Sequence, residues 1–259
     1  MNMRPLRSVL VIGLGLFVVF LAGFDHLAAS DRSAGAVAPH VEITITSVKD
    51  NTIYAGTTNL RSNGQGDHFF AGRNGQGVSV RGLLAFDLAE SIPADATIVS
   101  ATLRLHSSTP RGGAHAIHLH RVLANWGEGT SNAGSGEGGG AAATTGDATW
   151  LHTFFDTAEW TTPGGDFAAT ASATTTVNAQ GFYTWSSPAL LADVQAWQAD
   201  PDANFGWILL GNEESSGSAR RFDSRENGIA TNRPQLVIVY EALPDKDNVL
   251  YLPLVSGAP

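Results

Sequence analysis

"VEITITSV", residues 41–48, decides the fold. Val41, Ile43 and Ile45 alternate with Glu42, Thr44 and Thr46. A period of two puts one side of an extended strand on a core and the other in water. Outward from this stretch, strand-like runs recur at 79–88, 97–107, 115–123, 181–186, 205–211 and 235–241, with shorter ones near 52–54, 67–71, 150–155 and 219–225. Gly, Asn, Pro and Ser cluster between them. Many short strands separated by turn residues predict an all-β fold, an antiparallel β-sandwich of jelly-roll type. One stretch departs from the pattern. In "SSPALLADVQAWQADP", Leu190, Leu191, Val194 and Trp197 fall at helical spacing, Ser187 is placed to cap, and Pro188 and Pro201 bracket the run. This predicts one short amphipathic helix near 188–199 that closes an end of the sandwich.

The flanks read differently. Arg4 and Arg7 precede an apolar run from Val9 to Phe24, and small residues follow at Ala28, Ala29 and Ser30, as in a secretory signal peptide over 1–30, with an uncleaved N-terminal anchor as the alternative. Residues 31–40 read as a linker, 41–241 as one domain and 242–259 as a C-terminal tail. Taking Asp25, Arg4 and Arg7 from the 24 acidic and 15 basic residues leaves 23 and 13 beyond residue 30. So acidic a surface suits neither nucleic acid nor an anionic membrane, so neither is an expected partner after signal cleavage. There are no cysteines, which removes thiol chemistry and leaves core burial or bound ions to stabilise a secreted chain. The oligomeric state is left open.

The motifs "DNTIY" (50–54), "SNGQGDHFFAGR" (62–73), "RGLLAFDL" (81–88), "ATIVSATLRLH" (96–106), "LHRVLANWGEGTS" (119–131), "GDATW" (146–150), "GGDF" (164–167), "DVQAWQADPDANFGWILLG" (193–211), "RRFDSRE" (220–226) and "RPQLVIVY" (233–240) occur in a familiar order. Together they resemble a DNRLRE-type domain, a group related to the disaggregatase repeat and to carbohydrate-binding modules of family 96. The resemblance spans residues 41–241. It implies a secreted or cell-surface β-sandwich of jelly-roll type and, less directly, a non-catalytic module that binds an extracellular or cell-wall polysaccharide. A structural or adhesive surface domain without a small ligand is the second expectation. A polysaccharide lyase or hydrolase is the third.

Residue by residue, the candidates divide. Trp126, Trp150 and Trp160 adjoin loop residues, where a ring can stack on a sugar face or cover the edge of the core. Trp197 and Trp207 sit in periodic apolar runs and read as core, and Trp185 fits either role. His118 and His120 share a strand face, and Arg104 and His106 lie on a candidate neighbouring strand. The four together would grip a carboxylate sugar, while the His pair alone would suit zinc or a plain polar outer face. No cofactor is expected. Asp200, Asp202 and Asn204 offer hard oxygens for a structural calcium, though without the glycine and distal glutamate of an EF-hand loop. Glu213 and Glu214 are adjacent, so an extended chain points them to opposite faces rather than at one bond. They are expected in a hairpin turn near Arg220 and Arg221, with Phe222 in the core. Residues 127–146 are glycine-rich and read as a long flexible surface loop. "GSGEGGG" lacks the lysine and the strand–turn–helix context of a phosphate loop, so nucleotide binding is not expected. No G-x-S-x-G or H-E-x-x-H signature occurs.

Overall fold

The computed structural model describes residues 39–89, 91–109 and 113–242. The signal segment, residues 31–38 of the linker and the tail beyond residue 242 lie outside the described residues. Fifteen strands and one α-helix follow in order: β1 (His40–Thr46), β2 (Lys49–Tyr54), β3 (Arg61–Ser62), β4 (His68–Arg73), β5 (Ser79–Ala85), β6 (Ile98–Ser107), β7 (His115–Arg121), β8 (Ala141–Ala142), β9 (His152–Phe154), β10 (Ala158–Glu159), β11 (Ala173–Val177), β12 (Gly181–Trp185), α1 (Pro188–Ala199), β13 (Trp207–Leu210), β14 (Arg220–Asp223) and β15 (Gln235–Glu241). The fold is an antiparallel β-sandwich, as alternation predicts.

The first sheet pairs β1 with β15, β15 with β6, and β6 with β12 and β14. The second pairs β2 with β5, β5 with β13, β13 with β7 and β7 with β11. Strand β4 joins them. Its first four residues pair with β14, and Gly72 and Arg73 pair with β5. Gly72 stands where the strand changes sheet, at φ 128°, and a Cβ there would lie 2.8 Å from the Ala219 Cα, so only glycine fits. Chain neighbours such as β1 and β2, β5 and β6, β6 and β7, and β11 and β12 fall in opposite sheets. The chain thus crosses between the layers at each of these steps.

The main core lies between the sheets. Leu103 and Leu105 of β6, Ile117 and Leu119 of β7, Trp185, Trp207, Leu209, Phe222, Leu236 and Ile238 are all fully buried there. Helix α1 adds Leu190, Val194 and Trp197, and Trp197 meets Trp207 edge-on at 4.5 Å between centroids. Its start is capped as the sequence predicts: the Ser187 hydroxyl accepts from the Leu190 amide at 3.0 Å, with Pro188 in the first turn. Gln195 and Gln198 donate to the carbonyls of Ile98, Pro93 and Ala96, which fixes the helix over the start of β6.

The second sheet is apolar on its outer side too. Ile53, Leu83, Ala85 and Ile208 point away from the main core and meet Val122, Trp126, Ala148 and Trp160 from the segment after β7. A third small cluster of Tyr54, Phe70 and Val80 lies at the junction around β4. Residues 127–146 are therefore a folded cover, not the flexible loop that their composition suggests. Ser131 and Glu137 within the segment are buried, as is Asp147 just after it. β8 pairs with β3, and the Asp147 carboxylate accepts from the Ser131 and Thr144 amides. Glycine content reduces side-chain packing, but each buried polar side chain supplies a fixed anchor.

Candidate functional site

The seven residues singled out as ligand contacts do not form one site. Trp126 is 1% exposed and Trp160 is 5% exposed. The Trp126 indole donates to the Phe205 carbonyl at 2.8 Å, and the Lys49 ammonium covers its ring at 4.2 Å. The Trp160 indole donates to the Thr149 carbonyl at 2.9 Å. Neither ring is open to a sugar. Both are needed to cover the outer apolar side of the second sheet. Trp150 is half-buried, and the Arg81 guanidinium lies 4.6 Å from its ring. Trp185, Trp197 and Trp207 are core.

The expected cluster of Arg104, His106, His118 and His120 is also corrected. β6 and β7 belong to opposite sheets, so alternation places the two pairs on opposite outer faces. On the first sheet, Arg104 stacks on Phe182 at 3.5 Å and donates to Gln235 at 2.6 Å. His106 is buried and bound through Nδ1 to Asp223 at 2.7 Å, so it is not a surface contact. On the second sheet, His118 and His120 are half-buried, with ring centroids 6.4 Å apart.

The charged stretch at 213–226 is built into the scaffold. Glu213 pairs with Arg81 through two contacts of 2.6 and 3.0 Å, not with Arg220 or Arg221 as expected. Arg220 is buried and donates to the Gly113 carbonyl. Arg221 donates to Ser108 Oγ at 3.0 Å and to its carbonyl at 2.7 Å. Phe222 is fully buried, as expected. Arg225 clasps Glu128 through contacts of 2.7 and 2.8 Å and touches Glu226 at 2.9 Å. Burial, then the Glu128 charge, pushes the Glu226 carboxyl up to about 7. Burial, reinforced by Glu226, holds Asp50 well above the usual aspartate range.

A different region has the form of a ligand site. Three adjoining cavities of about 440, 230 and 380 Å³ follow the loop 134–140. The first and second share Asn74. The second and third share Phe70, Gly138 and Arg221. Together they form a groove whose wall is mostly glycine backbone and whose floor includes Tyr54, Phe70 and Val78. At the first cavity, the Thr58, Asn59 and Gln76 side chains make no hydrogen bond among the described residues. Asn59 is held outward in a left-handed turn at φ 50°. Arg61 donates through one nitrogen to the Gly140 carbonyl at 2.9 Å.

One carboxylate pins the wall. Glu137 accepts from the Asn63 amide at 3.0 Å, the His68 backbone N–H at 2.8 Å and His68 Nδ1 at 3.3 Å. Burial pushes the Glu137 carboxyl up, but the bonds from His68 and Asn63 outweigh it and set it below the ordinary glutamate value. Tyr54 Oη donates to the Glu137 carbonyl at 2.9 Å, and Asn74 Nδ2 to the Gly138 carbonyl at 2.9 Å. The other His68 nitrogen lies 3.4 Å from Asp223. Through Nδ1 this imidazole is tied to Glu137 and forms part of the scaffold.

None of the groove residues was expected from the sequence. The available signal was "SNGQGDHFFAGR" beside "GSGEGGG", a charged residue isolated among glycines. Its partners, Asn63 and His68, lie 74 and 69 residues away in sequence. Among the described residues, no group of three or more His, Cys, Asp or Glu is placed to hold a metal ion. Asn204 is used instead to bond the Phe86 carbonyl and the Gly206 amide. No described helix is long and apolar enough to cross a membrane. No family model matches the chain, and no curated protein matches it.

Proposed function

We propose that the domain is a secreted, non-catalytic carbohydrate-binding module of DNRLRE type, and that it takes an extracellular or cell-wall polysaccharide into the groove along residues 134–140. The observation that carries this reading is the continuity of the three cavities around one glycine-built wall. A polysaccharide is long, and an open groove accommodates several of its units where a closed pocket accommodates one. Glycine backbone lets the chain approach closely, and the unpaired amides of Asn59 and Gln76 can each give and accept a hydrogen bond with sugar hydroxyls. The half-exposed Val78 offers an apolar surface to the C–H faces of the ring. Such a site, apolar with a few convergent polar groups, is the usual form of a small-ligand cleft.

A glycan array probed with the full chain tests this reading. The expected result is selective, saturable retention of a polysaccharide with no reducing or unsaturated ends released. Release of such ends would establish an enzyme instead. Self-association with no glycan retained would favour an adhesive or structural domain.

A further inference from the structure

We propose that His118 and His120 form a two-ligand site for a divalent transition-metal ion of the zinc, nickel or copper class, on the outer face of the second sheet and independent of the groove. Strand β7 sends Ile117 and Leu119 into the core, so His118 and His120 project together on the other side. Two same-face positions on a strand present two imidazoles to one point in space. The tautomer also favours this role. His120 Nδ1 lies 2.8 Å from the Ala168 carbonyl, which can only accept, so Nδ1 carries the proton and Nε2 the lone pair. His118 Nδ1 lies 2.9 Å from the Thr174 hydroxyl, and donation to that oxygen leaves its Nε2 free in the same way. Neither Nε2 has a hydrogen-bond partner among the described residues. Anchoring of one ring nitrogen to a carbonyl or hydroxyl is how metal-binding histidines are oriented. Phe167 packs edge-on against His120 at 5.4 Å and steadies that ring.

The ring centroids stand 6.4 Å apart. A shared ion at about 2.0–2.1 Å from each nitrogen requires them to come closer, so binding turns one or both rings. Imidazole suits zinc, copper and nickel, whereas calcium and magnesium need oxygen ligands. With two protein ligands, water or an added ligand completes the coordination, so the ion is exchangeable.

The test is calorimetric titration of Zn²⁺ and Ni²⁺ into the full chain, prepared without a polyhistidine tag and stripped with chelator. The expected result is one saturable site of micromolar affinity that ignores Ca²⁺. His118→Gln or His120→Gln should weaken it by about tenfold or more, and His115→Gln should not. In the unsubstituted protein, nitrogen-detected NMR should show Zn²⁺ shifting Nε2 of both rings while each Nδ1 stays protonated, a readout that needs no variant to fold. Absence of saturable binding, equal binding by the His118→Gln and His120→Gln variants, or Zn²⁺ shifts confined to other histidines would overturn the site.

Discussion

The segment 127–146 holds one carboxylate at its middle and one at its start, and it does so in opposite ways. At the middle Glu137 receives three bonds, from Asn63 and from two atoms of His68, and is held in its ionised form. At the start Glu128 shares the Arg225 guanidinium with Glu226, beside the buried Asp50, which accepts from the Arg225 backbone N–H, and one oxygen each of Asp50 and Glu226 has no partner. One carboxylate is satisfied, while two share one guanidinium next to a third. Burial alone therefore does not set the sign of a carboxylate's contribution. The number of donors aimed at it does.

The largest effect is expected at the crowded end. Arg225→Ala leaves Glu128 facing Asp50 and Glu226 without its paired guanidinium and should cost about 3 kcal/mol, read from urea unfolding at neutral pH. A loss below about 1 kcal/mol would mean that solvent screens the cluster and the contrast is not real. Glu137→Ala comes next, at about 2 kcal/mol, because Asn63 and His68 lose their shared acceptor. It should also loosen the groove wall. The acid dependence carries the same information. Glu137 has a folded value below its ordinary 4.5. Its stabilisation is thus fully present above about 4.5 and is lost as pH falls through the folded value, a slope that Glu137→Gln should remove.

The smallest effect has the opposite sign. Glu226 titrates near 7 when folded against an ordinary 4.5. The folded state binds the extra proton between those values, so stability is greatest below about 4.5 and declines as pH rises through 7. Glu226→Gln should therefore stabilise the protein by about 1 kcal/mol at pH 8 and change little at pH 4. Thermal melts at the two pH values check this. Equal effects at both would show that the Arg225 contact, not the proton, governs Glu226.

Local order explains what could be read from the sequence. Helix α1 was legible because Ser187, Pro188 and the Leu190–Val194–Trp197 spacing lie within one short stretch. β1 was legible because "VEITIT" has one wet side. The buried tryptophans needed a non-local fact: the second sheet has two dry sides. The trace of that fact lies in Leu83, Leu84 and Ala85 and in Trp207–Leu210, apolar runs that do not alternate and so demand cover on both faces. β11, "ATTTV", was missed because only Ala173 and Val177 at its ends are buried. The groove was missed because Glu137 and its cradle are far apart in the chain.

A ligand along residues 134–140 must lose affinity when the polar side chains beside that loop are removed. The polysaccharide retained by the unsubstituted chain is titrated against a variant carrying Asn59→Ala and Gln76→Ala, and against one carrying Arg104→Ala and Phe182→Ala on the outer face of the first sheet. The first pair makes no side-chain bond within the fold, so its melting temperature should stay put while affinity falls by about tenfold or more, as expected when two hydrogen bonds are lost. The second pair should bind like the unsubstituted chain. Unchanged binding by the groove variant, or a loss confined to the Arg104–Phe182 variant, would contradict the account and move the ligand to the other face.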